Sequence, residues 1–236
     1  MVSDCYLSNG SLKRLDALPI DYRIGALLFT FIEYAMGRLR DLGRPRTYPK
    51  SPKRFPILLA DPPWTFKNNG RGIVASGIRS PEHHYPCMET DEICALPVKG
   101  IAAKDAVLFL WTTSAHLPQA IKVMESWGFS YKTKAVWTKD KFSFGYYFRQ
   151  QHDTLLLGEK GNFRCPKPAN RPSSVIEAPR RGHSQKPDEA YELIETMYPG
   201  IGPKLELFAR NTRPGWHVWG NEVANSVKLP WKAEQH

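Results

Sequence analysis

Residues 105–111, DAVLFLW, are apolar almost throughout, and this run constrains the fold more than any other feature of the chain. A strand with one face in water alternates apolar and polar residues, so a continuous apolar run indicates a strand covered on both faces. Further short apolar runs alternate with helix-like segments from residue 57 onward. This pattern predicts an α/β fold with a mostly parallel sheet and helices on both of its faces.

The same reasoning assigns the other elements. Strands are predicted at residues 57–60, 105–111, 129–139, 153–158, 174–179, 204–210 and 217–220. Helices are predicted at residues 90–96, 114–128 and 187–198, with Thr90 and Ser114 as N-caps and Gly128 as the end of the second helix. Ligands of such sheets bind just beyond the carboxyl ends of the strands, so functional residues are expected there.

Residues 1–56 differ in character from the rest of the chain, and we predict an N-terminal helical extension with a linker, followed by a second domain over residues 57–236. The segment 44–56, RPRTYPKSPKRFP, is basic and rich in proline, which is typical of an extended linker. Apolar residues of the extension recur at helical spacing, at Ile24, Leu27, Leu28, Phe31, Ala35 and Leu39.

The net charge of the chain indicates which classes of partner it can bind. Lys and Arg number 33 against 23 Asp and Glu, for a formal net charge of +10. This excess favours nucleic acid as a partner and, after it, an anionic membrane surface.

The longest apolar stretch, residues 24–36, contains Glu33 and falls short of the ~20 apolar residues that span a bilayer. The four cysteines lack the C-x2-C spacing of zinc sites. We expect reduced thiols, no metal, no membrane partner and a cytoplasmic location.

The segment 56–66, PILLADPPWTF, places polar groups at the end of a buried strand. Pro62 and Pro63 stiffen the turn and lack N–H groups, so the backbone there can only accept hydrogen bonds. The Asp61 carboxylate adds acceptors, and Trp64 adds a flat aromatic face. A nucleobase with an exocyclic amine, adenine or cytosine, fits such a site. The alternative is a rigid turn with a buried tryptophan.

The DPPW string resembles the catalytic motif of the adenine-N6 methyltransferases, a family that includes eukaryotic mRNA methyltransferases and bacterial and phage relatives. The likeness runs from about residue 55 to 222 through AVLFLW, WGFSYKTKAVWTK, HDTLLLGEKG, HSQKPDEAYELIE, KLELFAR and GWHVWGNE. The catalytic motif precedes the cofactor motif, as in the circularly permuted members of the Rossmann-like S-adenosylmethionine-dependent methyltransferase fold.

The resemblance implies direct in-line transfer of a methyl group from S-adenosylmethionine to the N6 amine of adenine in DNA. The target amine would donate hydrogen bonds to Asp61 and to the Pro62 carbonyl, and Trp64 would stack on the base. Lys186 would pair with the methionine carboxylate of the cofactor. The catalytic residues implied are Asp61, Pro62, Pro63 and Trp64, and the cofactor residues are Asp61, Lys186, Phe208, Arg210, Asn221 and Glu222.

Two segments are candidates for nucleic-acid contact: the glycine-rich, polar residues 67–85 and the aromatic loop 142–151, FSFGYYFRQQ. An ordinary aromatic hairpin is the alternative for residues 142–151. His83 and His84 are adjacent, but no third metal ligand stands at a useful spacing. The nucleic-acid-binding residues predicted are Lys67, Arg71, Arg79, Tyr85, Arg149, Arg164, Arg180 and Arg181.

Three alternatives stay open. RNA adenine is the first, and the exocyclic amine of cytosine is the second. The third is a non-catalytic nucleic-acid-binding subunit, which would be expected to have lost the acid or aromatic residue of the catalytic motif or the cofactor lysine. Asp61, Trp64, Lys186 and Asn221 are all present here.

Overall fold

The computed structural model describes residues 4–6, 12–14, 54–65, 87–143, 147–182 and 185–229. The chain divides into two compact units, Met1–Pro49 and Lys50–His236. In the first unit, β1 (Asp4–Tyr6) and β2 (Leu12–Arg14) pair antiparallel. The predicted helix and most of the predicted linker lie outside the described residues, so the assignment of residues 1–56 stays a prediction.

The second unit contains a seven-stranded sheet with the order β7-β5-β6-β4-β3-β8-β9. In chain order the strands are β3 (Phe55–Ala60), β4 (Ala102–Thr112), β5 (Ser130–Ser143), β6 (Gln150–Lys160), β7 (Val175–Glu177), β8 (Lys204–Leu207) and β9 (Trp216–Trp219). Among these described strands, β6 alone runs antiparallel to its neighbours. The predicted mostly parallel sheet is confirmed.

Helices cover both faces of this sheet, as predicted. The helices are α1 (Thr90–Ala95), α2 (Val98–Ile101), α3 (Leu117–Ser126) and α4 (Glu189–Met197). On one face, Ile93 of α1 and Val123 of α3 belong to the same buried cluster as Leu108 of β4. On the other face, Ile194 of α4 packs in a cluster with Phe109. Within the described part of the chain, no helix is long and apolar enough to cross a membrane.

The two predicted N-caps are wrong. Thr90 is the first helical residue of α1, and the N–H of the preceding Glu89 donates to Glu92 Oε2 at 2.7 Å. Ser114 lies in a short 3-10 turn, where its hydroxyl donates to Gln150 Oε1 at 2.9 Å instead of capping a helix. Gly128 does follow the end of α3 with a φ of +83°, a conformation that glycine adopts without strain.

The predicted loop 142–151 is wrong at both ends, because β5 continues to Ser143 and β6 begins at Gln150. These two residues pair directly. Aromatic side chains favour extended backbone, which accounts for the strand structure at both ends of this segment and agrees with the hairpin alternative. The chain therefore forms a long β5–β6 hairpin.

The parallel strands bring distant segments of the chain to one edge of the sheet. β3, β4, β8 and β9 all point the same way, so the residues that follow them meet at their shared carboxyl end. These residues include the DPPW segment after β3 and the segments after β8 and β9 that carry the predicted cofactor residues.

Candidate active site

Asp61 directly follows β3 and forms an ion pair with Lys186. The Lys186 Nζ atom lies 2.9 Å from both carboxylate oxygens. Burial raises the pKa of the Asp61 carboxyl, and the Lys186 ammonium opposes that rise. An ammonium has three N–H donors, so Lys186 can hold Asp61 and still donate to a second carboxylate.

The two prolines hold the turn after Asp61. The Pro62 carbonyl accepts the N–H of Trp64 at 2.9 Å, and the Pro63 carbonyl accepts the N–H of Met88 at 2.8 Å. A carbonyl oxygen has two lone pairs, so Pro62 can accept a second hydrogen bond from a ligand.

Trp64 is largely buried, with 6% of its surface exposed. Its Nε1 donates to the Trp111 carbonyl at 3.3 Å. Its ring stacks on His116, with centroids 5.6 Å apart and planes inclined by 16°. One face of the indole is thus covered by His116, and the ring as a whole belongs to the buried cluster beneath the site.

His116 was missed by the sequence analysis, and it connects the segment after β4 to the DPPW turn. Its Nε2 lies 3.1 Å from the Thr65 carbonyl oxygen, and its Nδ1 lies 3.0 Å from the Thr113 hydroxyl. Because a carbonyl only accepts, Nε2 carries the proton in the neutral ring and Nδ1 accepts from Thr113. Burial lowers the pKa of His116, which favours that neutral form.

A cavity of about 640 Å³ opens at the same edge of the sheet. The predicted cofactor residues that line it are Asp61, Lys186, Phe208, Arg210 and Glu222. Asn221 is exposed and is not among the lining residues. The lining also includes residues that the sequence analysis missed, among them Trp111, Gln185, Asp188, Tyr191, Glu206 and Arg213.

The segments after β8 and β9 meet at one side of the cavity. Arg210 Nε donates to Glu222 Oε1 at 2.9 Å. Gly220 lies so close to the Ala209 backbone that a Cβ atom would collide with the Ala209 carbonyl oxygen. Phe208 has a φ of +62°, a left-handed backbone that is costly for a bulky residue. Such strain is found where a site holds its backbone in place.

Glu206 is a buried carboxyl on the cavity wall, 9% exposed. The Tyr191 hydroxyl donates to its Oε1 at 2.8 Å, while its Oε2 has no hydrogen-bond partner among the described residues. Burial raises the pKa of Glu206 to about 7, and the nearby Asp61 carboxyl adds to the rise. An acid between two leucines of a short strand, Leu205 and Leu207, was the sequence signal that could have identified it.

We expect Glu206→Gln to stabilise the protein at pH 8 by about 3 kcal/mol, since burial raises the pKa of Glu206 from 4.5 to about 7 and one pKa unit corresponds to about 1.4 kcal/mol. Between pH 4.5, the ordinary pKa, and about 7, the folded protein retains a proton that the unfolded chain has released. Stability therefore falls as pH rises across this window, and glutamine removes that fall. Urea unfolding of both proteins at several pH values checks this. If the free energy of unfolding depended on pH in the same way in both proteins, this expectation would be contradicted.

The described residues contain no group of three or more His, Cys, Asp or Glu side chains that could hold a metal ion. His83 and His84 lie outside the described residues.

The predicted nucleic-acid-binding residues lie in different places. Lys67, Arg71, Arg79 and Tyr85 lie outside the described residues. Arg149 precedes β6 and Arg180 and Arg181 follow β7, all at the edge where Asp61 lies. Arg164 follows β6, which ends at the opposite edge because it is antiparallel.

Residues 55–222 match the model of the MT-A70 family. The chain belongs to the MT-A70 family. The match covers the sheet, the Asp61–Lys186 pair and the cavity lining. It confirms the resemblance to adenine-N6 methyltransferases, and with it the methyltransferase class of this MT-A70 chain.

Curated relatives agree with this membership. The type II methyltransferase M.MunI of a Mycoplasma species is 35% identical over 202 residues, which cover 79% of this chain and 86% of the relative. The Drosophila melanogaster N(6)-adenosine-methyltransferase MT-A70-like protein is 31% identical over 182 residues, covering 72% of this chain. The human N(6)-adenosine-methyltransferase catalytic subunit METTL3 is 29% identical over 182 residues, also 72% of this chain. The match spans only 27% and 28% of these two animal proteins.

Proposed function

We propose that this protein transfers a methyl group from S-adenosylmethionine to the exocyclic N6 amine of adenine in DNA. The observation that carries the proposal is the Asp61–Lys186 pair, which lies beside a cavity at the carboxyl edge of an MT-A70 sheet. The likeness to M.MunI over most of both chains supports DNA as the substrate.

The cavity residues fit this cofactor. A volume of about 640 Å³ lies within the ~300–1,000 Å³ that is usual for small-molecule sites. Lys186 would hold the methionine carboxylate, and Glu206 Oε2 offers an unused acceptor to the amino group of the cofactor. Phe208 would contact the adenosine, while Arg210 and Glu222 would bind the ribose hydroxyls. S-adenosylmethionine supplies the activated methyl group.

The chain's own contribution to the reaction is positioning and electrostatics. Asp61 would accept one hydrogen bond from the target amine and the Pro62 carbonyl a second, which turns the nitrogen lone pair away from the ring. Transfer is direct, with no covalent bond between the enzyme and the methyl group. In a duplex, the adenine must first leave the base stack.

Lys186→Met is expected to weaken S-adenosylmethionine binding about 10- to 100-fold, because a hydrogen bond to a charged group contributes ~1.5–3 kcal/mol. Titration calorimetry with the cofactor alone measures the effect. Lys122→Met is a matched control, since Lys122 also pairs with an aspartate, Asp91 at 2.7 Å, but both side chains are exposed and neither lines the cavity. Equal affinity in wild type and Lys186→Met would contradict the assigned role.

Transfer from labelled S-adenosylmethionine to unmethylated DNA and to total RNA, offered side by side, tests the substrate. We expect label in DNA. RNA adenine is the second candidate, because the Drosophila and human relatives are named N(6)-adenosine-methyltransferases. Label confined to RNA would establish that alternative. Cofactor binding without any transfer would favour a non-catalytic subunit.

A further inference from the structure

The β5–β6 hairpin extends further than the rest of the sheet. Thr112, the last residue of β4, is opposite Thr154 of β6, so residues 150–153 of β6 continue beyond the end of β4. At about 3.3 Å per residue, this extension projects about 13 Å. We call residues 139–143 and 147–152 the β5–β6 arm.

The arm leaves the sheet at the edge where Asp61 lies. β5 is antiparallel to β6, which is antiparallel to β4, so β5 points the same way as β4 and β3. The carboxyl end of β5 therefore projects from the catalytic edge. Nucleotides along a strand are spaced about 3.4 Å apart, so the arm is long enough to reach nucleotides that neighbour a base held at Asp61.

Three aromatic side chains of the arm are the most exposed large hydrophobic residues in the described part of the chain. Phe142 is 66% exposed, Tyr147 96% and Phe148 77%. Exposed apolar groups concentrated on one element mark an interaction site. Lys141 and Arg149 are exposed on the same arm, so cations accompany the rings.

Hydrogen bonds and an ion pair hold the root of the arm. Lys139 Nζ lies 2.8 Å from Asp153 Oδ1, and both side chains are largely buried. Gln151 Nε2 donates to the Lys139 carbonyl at 3.0 Å. The Asp140 carboxylate accepts the backbone N–H of Arg180 at 2.9 Å. These contacts hold the base of the arm against the sheet. Asp140, the acidic residue of the arm, takes part in one of them.

We propose that Phe142, Tyr147 and Phe148 stack on nucleotides that flank the target base, while Lys141 and Arg149 bind the adjoining phosphates. The inference rests on the proposed function for its substrate. Stacking on aromatic rings tolerates any base, since every base has a π-face. The arm would hold the strand from which the target adenine has been withdrawn.

The charges favour a polyanion over a second copy of this chain as the occupant. The protein carries a net charge of +10, so two copies repel each other. The arm adds Lys141 and Arg149 beside its rings. A polynucleotide offers both negative charge and flat apolar faces, which is the complement of this surface.

The triple variant Phe142→Ala/Tyr147→Ala/Phe148→Ala is expected to bind DNA about 10- to 100-fold more weakly. Fluorescence anisotropy with a labelled random-sequence DNA measures this on the full chain, and calorimetry should give an unchanged affinity for S-adenosylmethionine. Tyr131→Ala is the matched control. Tyr131 is an aromatic residue of β5 that is 44% exposed, but it lies near the opposite edge of the sheet.

Salt dependence separates stacking from charge. In the aromatic variant the slope of log Kd against log salt concentration should equal that of the wild type. Lys141→Gln/Arg149→Gln should instead make the slope shallower by about 0.9 per lost phosphate contact on duplex DNA. A changed slope in the aromatic variant would contradict the separate roles of rings and cations.

Two results would overturn the proposal. One is unchanged DNA affinity in the triple variant. The other is a fall in molar mass from dimer to monomer in sedimentation, which would make the arm an interface between copies. The proposed function can fail while the proposal for the arm holds. In that case the triple variant would bind DNA more weakly than the wild type, but the wild type would transfer no methyl group to DNA or RNA.

Discussion

Asp61→Asn is expected to lower the rate of methyl transfer about a hundred- to a thousandfold, the usual effect of removing a preorganised group that stabilises a transition state. The asparagine NH2 is a donor where the target amine requires an acceptor. It also leaves Lys186, now 2.9 Å from both carboxylate oxygens, without its counter-charge. Single-turnover rates at saturating cofactor measure the loss, and calorimetry should show that cofactor binding persists at reduced strength.

Asp105→Asn is the control for this change. Asp105 belongs to the neighbouring strand β4 and accepts the N–H of Asn162 at 2.7 Å, at the edge opposite Asp61. Its replacement should leave the rate unchanged. Retained turnover in Asp61→Asn would exclude the proposed mechanism.

Trp64→Ala is expected to have two effects: a loss of about 3–5 kcal/mol in the free energy of unfolding and a loss of transfer activity. The first follows from burial, since Trp64 is only 6% exposed and stacks on His116. Trp64→Phe should fold, keep an aromatic ring and retain measurable transfer. Chemical unfolding and transfer rates, both corrected to the folded fraction, separate the two effects.

Trp127→Ala isolates the contribution of burial. Trp127 lies in the same hydrophobic cluster as Trp64, is fully buried, and donates its Nε1 proton to the Ile93 carbonyl at 2.9 Å. It should cost similar stability but leave the transfer rate per folded molecule unchanged. If Trp64→Ala behaved in the same way, the tryptophan would be a core residue with no role in holding the base.

The sequence predicted the sheet and the place of Asp61 because both depend on local patterns. Continuous apolar runs indicated strands buried on both faces, and the acid directly after such a run had to fall at a carboxyl edge. Helix starts were less accurate. The N–H of Glu89 donates to the Glu92 carboxylate, and the hydroxyl of Ser114 donates to Gln150, a residue distant in sequence.

The missed site residues depend on contacts between distant segments. Glu206 receives its hydrogen bond from Tyr191 on α4, and His116 bonds the Thr65 carbonyl across the sheet edge. No local pattern records such contacts. For residues 142–151 the sequence left a loop and an aromatic hairpin open, and the pairing of Ser143 with Gln150 decides for the hairpin.

The central claim is that this protein methylates the exocyclic amine of adenine with Asp61 as the positioning acid. The most direct test is to incubate DNA with S-adenosylmethionine carrying a deuterated methyl group, digest it to nucleosides and identify the product by mass spectrometry. We predict deuterated N6-methyladenine with the wild type and about a hundred- to a thousandfold less in the same time with Asp61→Asn. A deuterated methyl group on cytosine, or equal N6-methyladenine from both proteins, would contradict the account.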